Sequence, residues 1–355
     1  MSQLLNIAVV GLGRMGKRHV HTLLYRVPHA KVVAVCSSDP GEVQWAKENP
    51  EYAEFGVAAY SSYDEMLRHP GLQAVWISTS TDVHASQSLA AIEKGLHVLC
   101  EKPLSTNMSE AQAVVDAAKA NPHLKVMAGF SRRFDKSYRN AGEQIFNHAS
   151  GASAIGKPFM VRSNTCDLLD ETGFFVRYAA RNGGIFVDCA IHDIDLTLWY
   201  LGDPVPKACW AVGTLRHHPE LAERDDVDNA VGVVQFWGGE IAYYYCSRTQ
   251  AHGHDVCTEV TGTEGKLAVN VVPREDNVVL SDKLGVRHTV QAEYWQRFED
   301  AFALEAREFV ASVRDDTPVP LPLEGGIKVM NIGRALQHAL LSGDVVKFDK
   351  EGKWE

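Results

Sequence analysis

The sequence predicts two domains: an α/β domain built on a parallel sheet, followed by an α+β domain with a large, mostly antiparallel open sheet. In the first 130 residues, short apolar strands alternate with helical segments, which is typical of a doubly wound parallel sheet. From Lys207 onward, strands follow one another with only short turns between them, which indicates antiparallel pairing. At 355 residues the chain is long enough for two cores. We place the domains at residues 1–130 and 131–355.

The composition excludes several classes of protein. Apolar residues make up 45% and charged residues 23% of the chain, as in an ordinary soluble globular protein. The net charge of -10 and the lack of basic runs argue against a nucleic-acid partner. The seven cysteines are scattered without a CxxC pair, so we expect reduced core side chains rather than disulfides or a zinc site. No signal peptide or long apolar run is present, so we expect a cytoplasmic protein without a membrane partner.

The first strand leads directly into a glycine-rich turn. The apolar strand Asn6–Val10 is followed by Gly11, Gly13 and Gly16 in the spacing GxGxxG, and then by a helical segment. Gly11 permits the tight turn, Gly13 lets the backbone approach a pyrophosphate, and Gly16 allows close contact of helix and strand. A second strand, Lys31–Cys36, follows at the distance that a Rossmann domain requires. We therefore expect a dinucleotide, with its phosphates at the N-terminus of the helix.

The residues after the second strand leave the choice between NAD and NADP open. A domain that binds NAD usually has an acidic residue here for the ribose, whereas one that binds NADP has small polar and basic residues. This chain reads Cys36-Ser37-Ser38-Asp39, so the acid comes two residues late, and no Arg or Lys follows closely. Ser37 and Ser38 can hold a phosphate, but Asp39 would repel it if it pointed inward. We expect NAD or NADP, with NAD slightly favoured.

Polar residues follow the next two strands, at the edge of the sheet where ligands bind in this class of fold. Ser78-Thr79-Ser80 follows one strand, and Glu101-Lys102-Pro103 follows the strand His97–Cys100. Lys102, fixed by the proline, is suitably placed for a nicotinamide, where burial and a cationic ring would lower its pKa. The alternatives are a helix-capping cluster for the serines and threonine, and an ordinary surface charge for Lys102.

A second group of chemically competent residues lies further along the chain. Asp188, His192 and Asp195 are spaced by four and three residues, so they would share one face of a helix. A carboxylate one turn from an imidazole can hold its tautomer and raise its proton affinity, as a general base requires. The alternative is an amphipathic helix with a core histidine.

These motifs together resemble the Gfo/Idh/MocA family of nicotinamide-dependent oxidoreductases. The resemblance covers nearly the whole chain. It rests on Gly11-Leu-Gly-Arg-Met-Gly16, Glu101-Lys102-Pro103, Gly129-Phe-Ser-Arg-Arg-Phe-Asp135, and Gly183-Gly184 followed by Asp188-(three residues)-His192-Asp193-Ile194-Asp195. It implies an NAD(P)-dependent dehydrogenase that oxidises a secondary hydroxyl of a cyclic polyol or sugar, with an inositol as the expected substrate.

The resemblance also implies roles for single residues. The family's catalytic lysine falls on Lys102, and its Asp/His pair on Asp188 and His192, all three of which would also touch the substrate. Neighbouring substrate hydroxyls would be held by Arg133, Asp167, Asp195 and His254, the last in place of a family tyrosine. The expected cofactor-binding residues are Gly11, Gly13, Arg14, Met15, Gly16, Ser37, Ser38, Ser78, Thr79, Ser80, His84, Glu101 and Lys102.

The second domain is expected to be built on a run of strands. Residues 167–178 read as a loop over the site, and helices at 188–201 and 297–314 are expected to cover one face of the sheet. Aromatic side chains alternate to both faces, so a second subunit is expected on the other face. The similarity to a family of oligomers suggests a homodimer or homotetramer. The predicted strands are Lys157–Asn164, Lys207–Leu215, Asn229–Phe236, Glu240–Cys246, Val256–Gly262, Lys266–Val271 and Asn277–Ser281.

Other functions remain open from the sequence. Within the family, the chain can be an aldopyranose dehydrogenase or a dihydrodiol or carbonyl reductase. A nucleotide-sensing regulator without catalysis would lack Lys102, Asp188 or His192, and all three are present. His217-His218 and the aspartates after them match no standard set of metal ligands, so we expect no metal.

Overall fold

The computed structural model describes residues 4–146, 151–179 and 181–354. By its contacts the chain divides into two compact units. The first unit comprises the described residues up to Ser131 together with Asp300–Ile327, and the second comprises Arg132–Glu299 together with the residues from Lys328 onward. The segment 300–327 belongs by its contacts to the first unit, whereas the sequence assigned it to the second domain.

The first unit contains a six-stranded sheet. Its strands are β1 (Leu5–Val10), β2 (Ala30–Cys36), β3 (Ala58–Tyr60), β4 (Ala74–Ile77), β5 (His97–Glu101) and β6 (Val126–Gly129). They stand in the order β3-β2-β1-β4-β5-β6, and every neighbouring pair is parallel, which confirms the predicted parallel sheet. Strands β4 and β6 are buried along their whole length, which explains why their sequences are continuously apolar.

Six helices connect these strands. They are α1 (Arg14–Arg26), α2 (Pro40–Glu48), α3 (Pro50–Phe55), α4 (Tyr63–Met66), α5 (Thr81–Glu93) and α6 (Met108–Ala120). Both α2 and α3 begin with a proline, and each is preceded by a residue whose side chain accepts backbone N–H groups, Asp39 and Asn49. Helix α5 begins at Thr81, earlier than the apolar pattern indicates, so the polar end of β4 runs directly into it.

The second unit contains a large sheet and a separate hairpin. The large sheet consists of β7 (Pro158–Leu168), β8 (Pro206–Thr214), β9 (Asn229–Phe236), β10 (Ile241–Gln250), β11 (Asp255–Gly262), β12 (Lys266–Val269) and β15 (Val346–Lys347), and the hairpin of β13 (Leu280–Asp282) and β14 (Gly285–Arg287). The order in the large sheet is β12-β11-β7-β10-β9-β8-β15. The pair β7–β10 is parallel and the other pairs are antiparallel, so the sheet is mixed but mostly antiparallel, as predicted.

The remaining helices are α7 (Lys136–Phe146), α8 (Phe174–Ala179), α9 (Ile185–Asp188), α10 (Ile191–Tyr200), α11 (Tyr294–Arg314) and α12 (Leu323–Ser342). Two details of the prediction are wrong. The segment 167–178 is not wholly a loop, because its first residues end β7 and its last residues form α8. The predicted strand Asn277–Ser281 does not join the large sheet, because its end pairs within the hairpin, which turns at Gly285 with a φ of 113°.

Helices cover one face of the large sheet. A Cβ atom on Gly232 of β9 would lie 2.7 Å from the ring of Phe186 and 3.0 Å from Leu336, so α9 and α12 lie directly on this strand. Helix α12 was not identified from the sequence. The predicted second cover, 297–314, lies in α11, but this helix belongs by its contacts to the first unit from Asp300 onward. Its earlier residue Phe298 stacks on Tyr138 of α7 at 6.5 Å between ring centroids.

The opposite face of the large sheet exposes apolar side chains. Trp210 and Val212 of β8, Ile241 of β10 and Met160 of β7 point to this side, and the strand registers place Ile241 opposite Met160. Each of these four side chains is between 37% and 44% exposed. We call the face that carries these four residues the open face.

All seven cysteines are buried, and none forms a disulfide. Among residues 4–146, 151–179 and 181–354, no helix combines the length and the apolar character needed to cross a membrane. The same residues contain no cluster of three His, Cys, Asp or Glu side chains suited to a metal ion. The backbone N–H groups of His217 and His218 instead donate to the carboxylate of Asp228.

Candidate functional site

The glycine turn between β1 and α1 leaves no room for side chains at two positions. Gly11 has a φ of 88°, in the left-handed region that favours glycine. A Cβ atom on Gly16 would overlap the carbonyl oxygen of Gly11 and lie 2.9 Å from the hydroxyl of Ser78. These two glycines therefore fix the path of the turn.

Gly13 has a different environment. Within the described part of the chain, no heavy atom lies within 4 Å of the position that its Cβ atom would take. Gly13 is the N-cap of α1, it offers no side chain to the first N–H groups, and the first turn contains no acidic residue. The positive end of the helix dipole is thus available to an external anion. The geometry suits a pyrophosphate over Gly13, Arg14 and Met15.

The polar residues after β4 support the glycine turn. The hydroxyl of Ser78 lies 3.0 Å from the carbonyl oxygen of Val10 and 3.1 Å from that of Gly11. The hydroxyl of Thr79 donates to the side chain of Gln87 at 2.7 Å. Both hydroxyls thus have partners within the protein, and a cofactor contact here falls to backbone groups or to Ser80, the N-cap of α5.

The end of β2 carries a carboxylate that the sequence analysis overlooked. Ser37 is buried and donates its hydroxyl to Glu42 at 2.6 Å. Asp39 accepts the backbone N–H of Gly41 at 2.7 Å and caps α2, while Ser38 is exposed. The acid held beside Ser37 is therefore Glu42, five residues further along the chain. The usual sequence motif of a Rossmann domain does not look for an acid at this position.

Lys102 follows β5 and is half-buried. Its backbone N–H donates to Glu101 at 3.3 Å, and the other oxygen of Glu101 lies 2.8 Å from Nε2 of His19. Burial opposes the ionisation of Glu101, but the hydrogen bond and charge of His19, together with Lys102, lower its pKa. His19 is buried, and it holds Glu101, which fixes the backbone of Lys102.

Helix α11 adds a buried acid to the first unit. Glu305 is fully buried, and neither carboxyl oxygen has a hydrogen-bond partner among the described residues. Burial raises its pKa well above the ordinary value, and the charge of Glu101 adds to the rise. Burial therefore favours the neutral form of Glu305 in the folded protein. The sequence could have indicated a buried Glu305, because this residue lies three positions after Phe302 and four before Phe309, on the apolar stripe of α11.

The ring nitrogens of His84, an expected cofactor contact, both lie against the main chain. His84 is buried in α5, with Nδ1 2.7 Å from the carbonyl oxygen of Pro103 and Nε2 3.1 Å from that of Thr79. Both ring nitrogens are thus used by the main chain. The expected direct contact of His84 with a cofactor is not supported, because no nitrogen remains for it.

The stretch 188–195 is not one continuous helix. Helix α9 ends at Asp188 and α10 begins at Ile191. Between them the N–H of Ala190 bonds to the carbonyl of Ile185, five residues back, which opens the helix locally. The prediction of one helix over 188–201 is therefore wrong in this detail.

Asp188 is held by Arg248, which the sequence analysis did not single out. The guanidinium donates to Asp188 at 2.9 Å and to Asp226 at 3.0 Å, and Asp226 also accepts the N–H of Ile185 at 2.8 Å. Arg248 is 3% exposed and lies 3.7 Å from the ring centroid of Phe175. Burial opposes its charge, but the two carboxylates raise the pKa of Arg248 further. Asp188 is thus fixed in orientation by a buried cation.

Helix α10 carries one partly accessible imidazole and two buried acids. His192 is half-buried, whereas Asp193 and Asp195 are buried. Asp195 accepts two hydrogen bonds from Arg133, at 2.8 and 2.7 Å, and Asp193 accepts one from Arg132 at 2.6 Å. The two expected substrate contacts Arg133 and Asp195 are therefore paired with each other. The side chain of Arg133 is 21% exposed and that of Asp195 only 4%, so Arg133 is the accessible member.

The other expected substrate contacts also form a pair. Nδ1 of His254 lies 3.1 Å from a carboxylate oxygen of Asp167. His254 is buried, with its ring edge-on to Phe298, whereas the side chain of Asp167 is 44% exposed. Partial burial opposes ionisation, but the bond to His254 and the charge of Arg248 lower the pKa of Asp167. Asp167 is thus the accessible carboxylate, with His254 as its partner.

The chain matches two family models. Residues 5–130 match the model of the Gfo/Idh/MocA oxidoreductase family described as an NAD-binding Rossmann fold, and residues 148–268 match a Gfo/Idh/MocA C-terminal domain. The matches agree with the parallel sheet of the first unit and the mostly antiparallel sheet of the second.

Relatives resemble the chain over its whole length. It is 31% identical to scyllo-inositol 2-dehydrogenase (NAD(+)) of Bacillus subtilis over 98% of both chains, and 29% identical to myo-inositol 2-dehydrogenase of Thermotoga maritima over 98% of this chain and 99% of that one. The crystal structure of scyllo-inositol dehydrogenase from Lactobacillus casei with NAD(H) and scyllo-inositol has a TM-score of 0.90 at 31% identity, over 97% of this chain and 99% of that one. The chain therefore belongs to the Gfo/Idh/MocA family of oxidoreductases, as an NAD(P)-dependent dehydrogenase that acts on CH–OH donors.

Proposed function

We propose that the protein oxidises one secondary hydroxyl of an inositol to the ketone, with NAD as the oxidant. The observation that supports this most is the full-length similarity, at 31% identity, to an enzyme whose structure contains NAD(H) and scyllo-inositol. The chain also keeps the lysine, aspartate and histidine that the chemistry needs, at Lys102, Asp188 and His192.

Each of these residues has a separate task in the proposed reaction. The alcohol carbon loses a hydride and its oxygen loses a proton; NAD⁺, when bound, accepts the hydride. His192 takes the hydroxyl proton as a general base, and Asp188, held by Arg248, orients the imidazole and stabilises its protonated form. Lys102 donates a hydrogen bond to the reacting oxygen and stabilises its developing negative charge. The ketone leaves, and His192 passes its proton to solvent.

The surroundings of Ser37 favour NAD over NADP. In a Rossmann domain the adenosine ribose lies at the end of β2, where a carboxylate hydrogen-bonds its hydroxyls and repels a 2′-phosphate. The carboxylate of Glu42 is held there by Ser37 at 2.6 Å. We expect NAD to bind at least about tenfold more tightly than NADP, a difference of about 1.4 kcal/mol. In Glu42→Gln, the ratio of the Kd for NADP to the Kd for NAD should be smaller than in the natural chain. An unchanged ratio would count against this role of Glu42.

The neighbouring hydroxyls of the substrate would be held by two pairs. Arg133 is positioned by Asp195, and Asp167 by His254, so one cationic and one anionic group are accessible in the second unit. A polyol with several adjacent hydroxyls offers both donors and acceptors to such groups. The family's tyrosine at the position of His254 is replaced, so the preferred inositol isomer is expected to differ from that of relatives with the tyrosine.

The proposal is tested with purified protein and NAD or NADP against inositol isomers and aldopyranoses, following reduction of the nicotinamide. Lys102→Ala and His192→Ala should each reduce kcat by about 10²–10⁴-fold, because proton transfer and oxyanion stabilisation are lost. NAD affinity should stay nearly unchanged. Lys94→Ala, at the exposed C-cap of α5, is the control for Lys102. Full turnover in both variants would defeat the assignment.

The panel also separates the alternatives. Activity with aldopyranoses but not with inositols would indicate a sugar dehydrogenase. Activity with neither, together with reduction of carbonyl compounds, would indicate a dihydrodiol or carbonyl reductase. NAD binding without any turnover would support a nucleotide-sensing regulator.

We also propose that the open face packs against a second copy of the chain, as a homodimer or within a homotetramer. Its four apolar side chains are each more than a third exposed, and they lie on β7, β10 and β8 of one sheet, with β9 between β10 and β8. Large exposed apolar side chains on one sheet face are characteristic of subunit interfaces.

A further inference from the structure

His84 connects the ends of two neighbouring strands of the first unit. It lies near the start of α5 and is 2% exposed. Its Nδ1 is 2.7 Å from the carbonyl oxygen of Pro103, and its Nε2 is 3.1 Å from that of Thr79. These carbonyls belong to the segments that follow β5 and β4, which pair in parallel up to Ile77 and Cys100. One imidazole ring therefore spans the gap between the two segments.

The partners of the ring determine its protonation state. A carbonyl oxygen only accepts hydrogen bonds, so each of the two contacts requires an N–H on the ring. A neutral imidazole has a single N–H, and its second nitrogen would direct a lone pair at a carbonyl oxygen. In a buried site, such an unmet contact destabilises the folded protein. The protonated imidazolium satisfies both contacts at once.

The surroundings also support a buried positive charge. Burial by itself lowers the pKa of His84, but interactions with Cys100 and the bonds to the two carbonyls outweigh it and raise the pKa to about 9. The ionised Glu101 lies close enough that the charge of His84, after that of His19 and Lys102, lowers the pKa of Glu101. The groups that act on the ring are thus the thiol of Cys100 and two carbonyl dipoles, with the carboxylate of Glu101 nearby.

We propose that His84 is a positively charged clamp that positions Lys102. By donating one hydrogen bond to Thr79 and one to Pro103, it holds the two strand ends at a fixed separation. Pro103 directly follows Lys102, and Glu101 holds the N–H of Lys102 from the other side at 3.3 Å. His84 is therefore a positioning residue rather than a cofactor contact, and its effect on turnover rests on the role proposed above for Lys102.

The charge of the clamp is measured on the whole protein without cofactor. Side-chain ¹⁵N NMR of histidine-labelled protein is followed from about pH 6 to about pH 8, a range in which a histidine with the ordinary pKa of about 6.5 loses one proton. The His84 signal is the one that disappears in His84→Gln. If that variant does not fold, through-bond correlations in the natural chain assign it. Two protonated nitrogens across the range are expected, and a single N–H at about pH 7.5 would overturn the proposal.

The positioning role is measured by kinetics. His84→Gln removes the charge and one of the two aligned donors, so kcat should fall about 10–100-fold, as expected for a displacement of roughly 1 Å at a reacting group. The Kd for NAD should change less than about threefold, because His84 does not touch the cofactor. His21→Gln, at an exposed histidine of α1, is the control.

Two results would contradict the positioning role. One is an unchanged kcat in folded His84→Gln, and the other is a parallel loss of thermal stability and NAD affinity with kcat retained. If the natural protein oxidises no polyol, the proposed function fails, whereas the NMR measurement still decides the charge of His84.

Discussion

Arg248 carries a buried positive charge between the carboxylates of Asp188 and Asp226. The orientation of Asp188, which is proposed to act in catalysis, therefore depends on contacts that also stabilise the fold. Asp188 and Asp226 approach the guanidinium from two sides, and Asp226 also holds the first residue of α9. Removing the cation would leave the buried Asp226 and the half-buried Asp188 without this partner. The orientation of Asp188 is therefore secured by the same contacts that anchor α9 to β10.

Arg248→Met should destabilise the protein by about 3–5 kcal/mol, the usual effect of breaking a buried ion pair from one side. The free energy of unfolding in urea measures this. Lys119→Met is the control, because Lys119 pairs with Glu324 at 3.3 Å but is 58% exposed, so about 0–1 kcal/mol is expected. Equal losses in the two variants would contradict the account of Arg248.

Glu305 should make the protein less stable as the pH rises. Its folded pKa lies above the ordinary value of about 4.3, so its contribution is fully present below about pH 4.3 and is lost as the pH rises through the folded pKa. Glu305→Gln removes this dependence, and each unit of the pKa difference is worth about 1.4 kcal/mol. The variant should gain stability relative to the natural chain between about pH 5 and about pH 8.

Urea unfolding at both pH values tests this expectation. Glu93→Gln, at an exposed position at the end of α5, should show no such gain. A stability difference between Glu305→Gln and the natural chain that stays constant with pH would mean that Glu305 is ionised in the folded protein.

In the strand–turn–helix element β1–α1, Gly16 is closely surrounded by other protein atoms, whereas Gly13 is not. Gly16→Ala overlaps the carbonyl of Gly11, so we expect a loss of about 1–3 kcal/mol from overpacking. Gly13→Ala meets no protein atom within 4 Å and has a φ of -66°, which alanine adopts without strain, so stability should stay within about 0.5 kcal/mol. Its methyl group occupies the space above the helix N-terminus, so NAD affinity should fall at least about tenfold.

Thermal unfolding and NAD titration of the two variants test this contrast. Full NAD affinity in Gly13→Ala would place the pyrophosphate elsewhere.

The elements that have a recognisable pattern of apolar and polar residues within their own segment could be predicted from the sequence. Apolar runs ending in glycine or polar residues gave β1, β2, β4 and β5, and alternating strands gave most of the large sheet. Helix α12 and Glu305 were not identified. His19 and Arg248 were not found because their partners Glu101 and Asp188 lie far away in the chain, whereas Glu42 lies only five residues from Ser37 but at no fingerprint spacing. Even the 188–195 helix was predicted as continuous, since a local opening at Ala190 leaves the residue spacing unchanged.

At the scale of the whole molecule, the open face predicts self-association. Trp210→Asp places a charge among the apolar side chains of β8, β10 and β7, so the proposed oligomer should dissociate to smaller species. Light scattering after gel filtration gives the mass. Leu284→Asp, at a residue that is 72% exposed between β13 and β14, should leave the mass unchanged. A natural chain that is already monomeric would contradict the proposed interface.

The first unit takes part of its core from α11, which follows its six strands in the chain by more than 160 residues. All six strands of its sheet are complete by Gly129, but His19 packs edge-on against Phe302 and Trp76 against Phe309, both from α11. On the ribosome, the nucleotide-binding sheet therefore emerges with part of its apolar surface uncovered, while α11, which begins at Tyr294, is still to be made. The unit can close only after the second sheet has been synthesised, so its folding depends on very distant contacts and on protection of the nascent chain from aggregation.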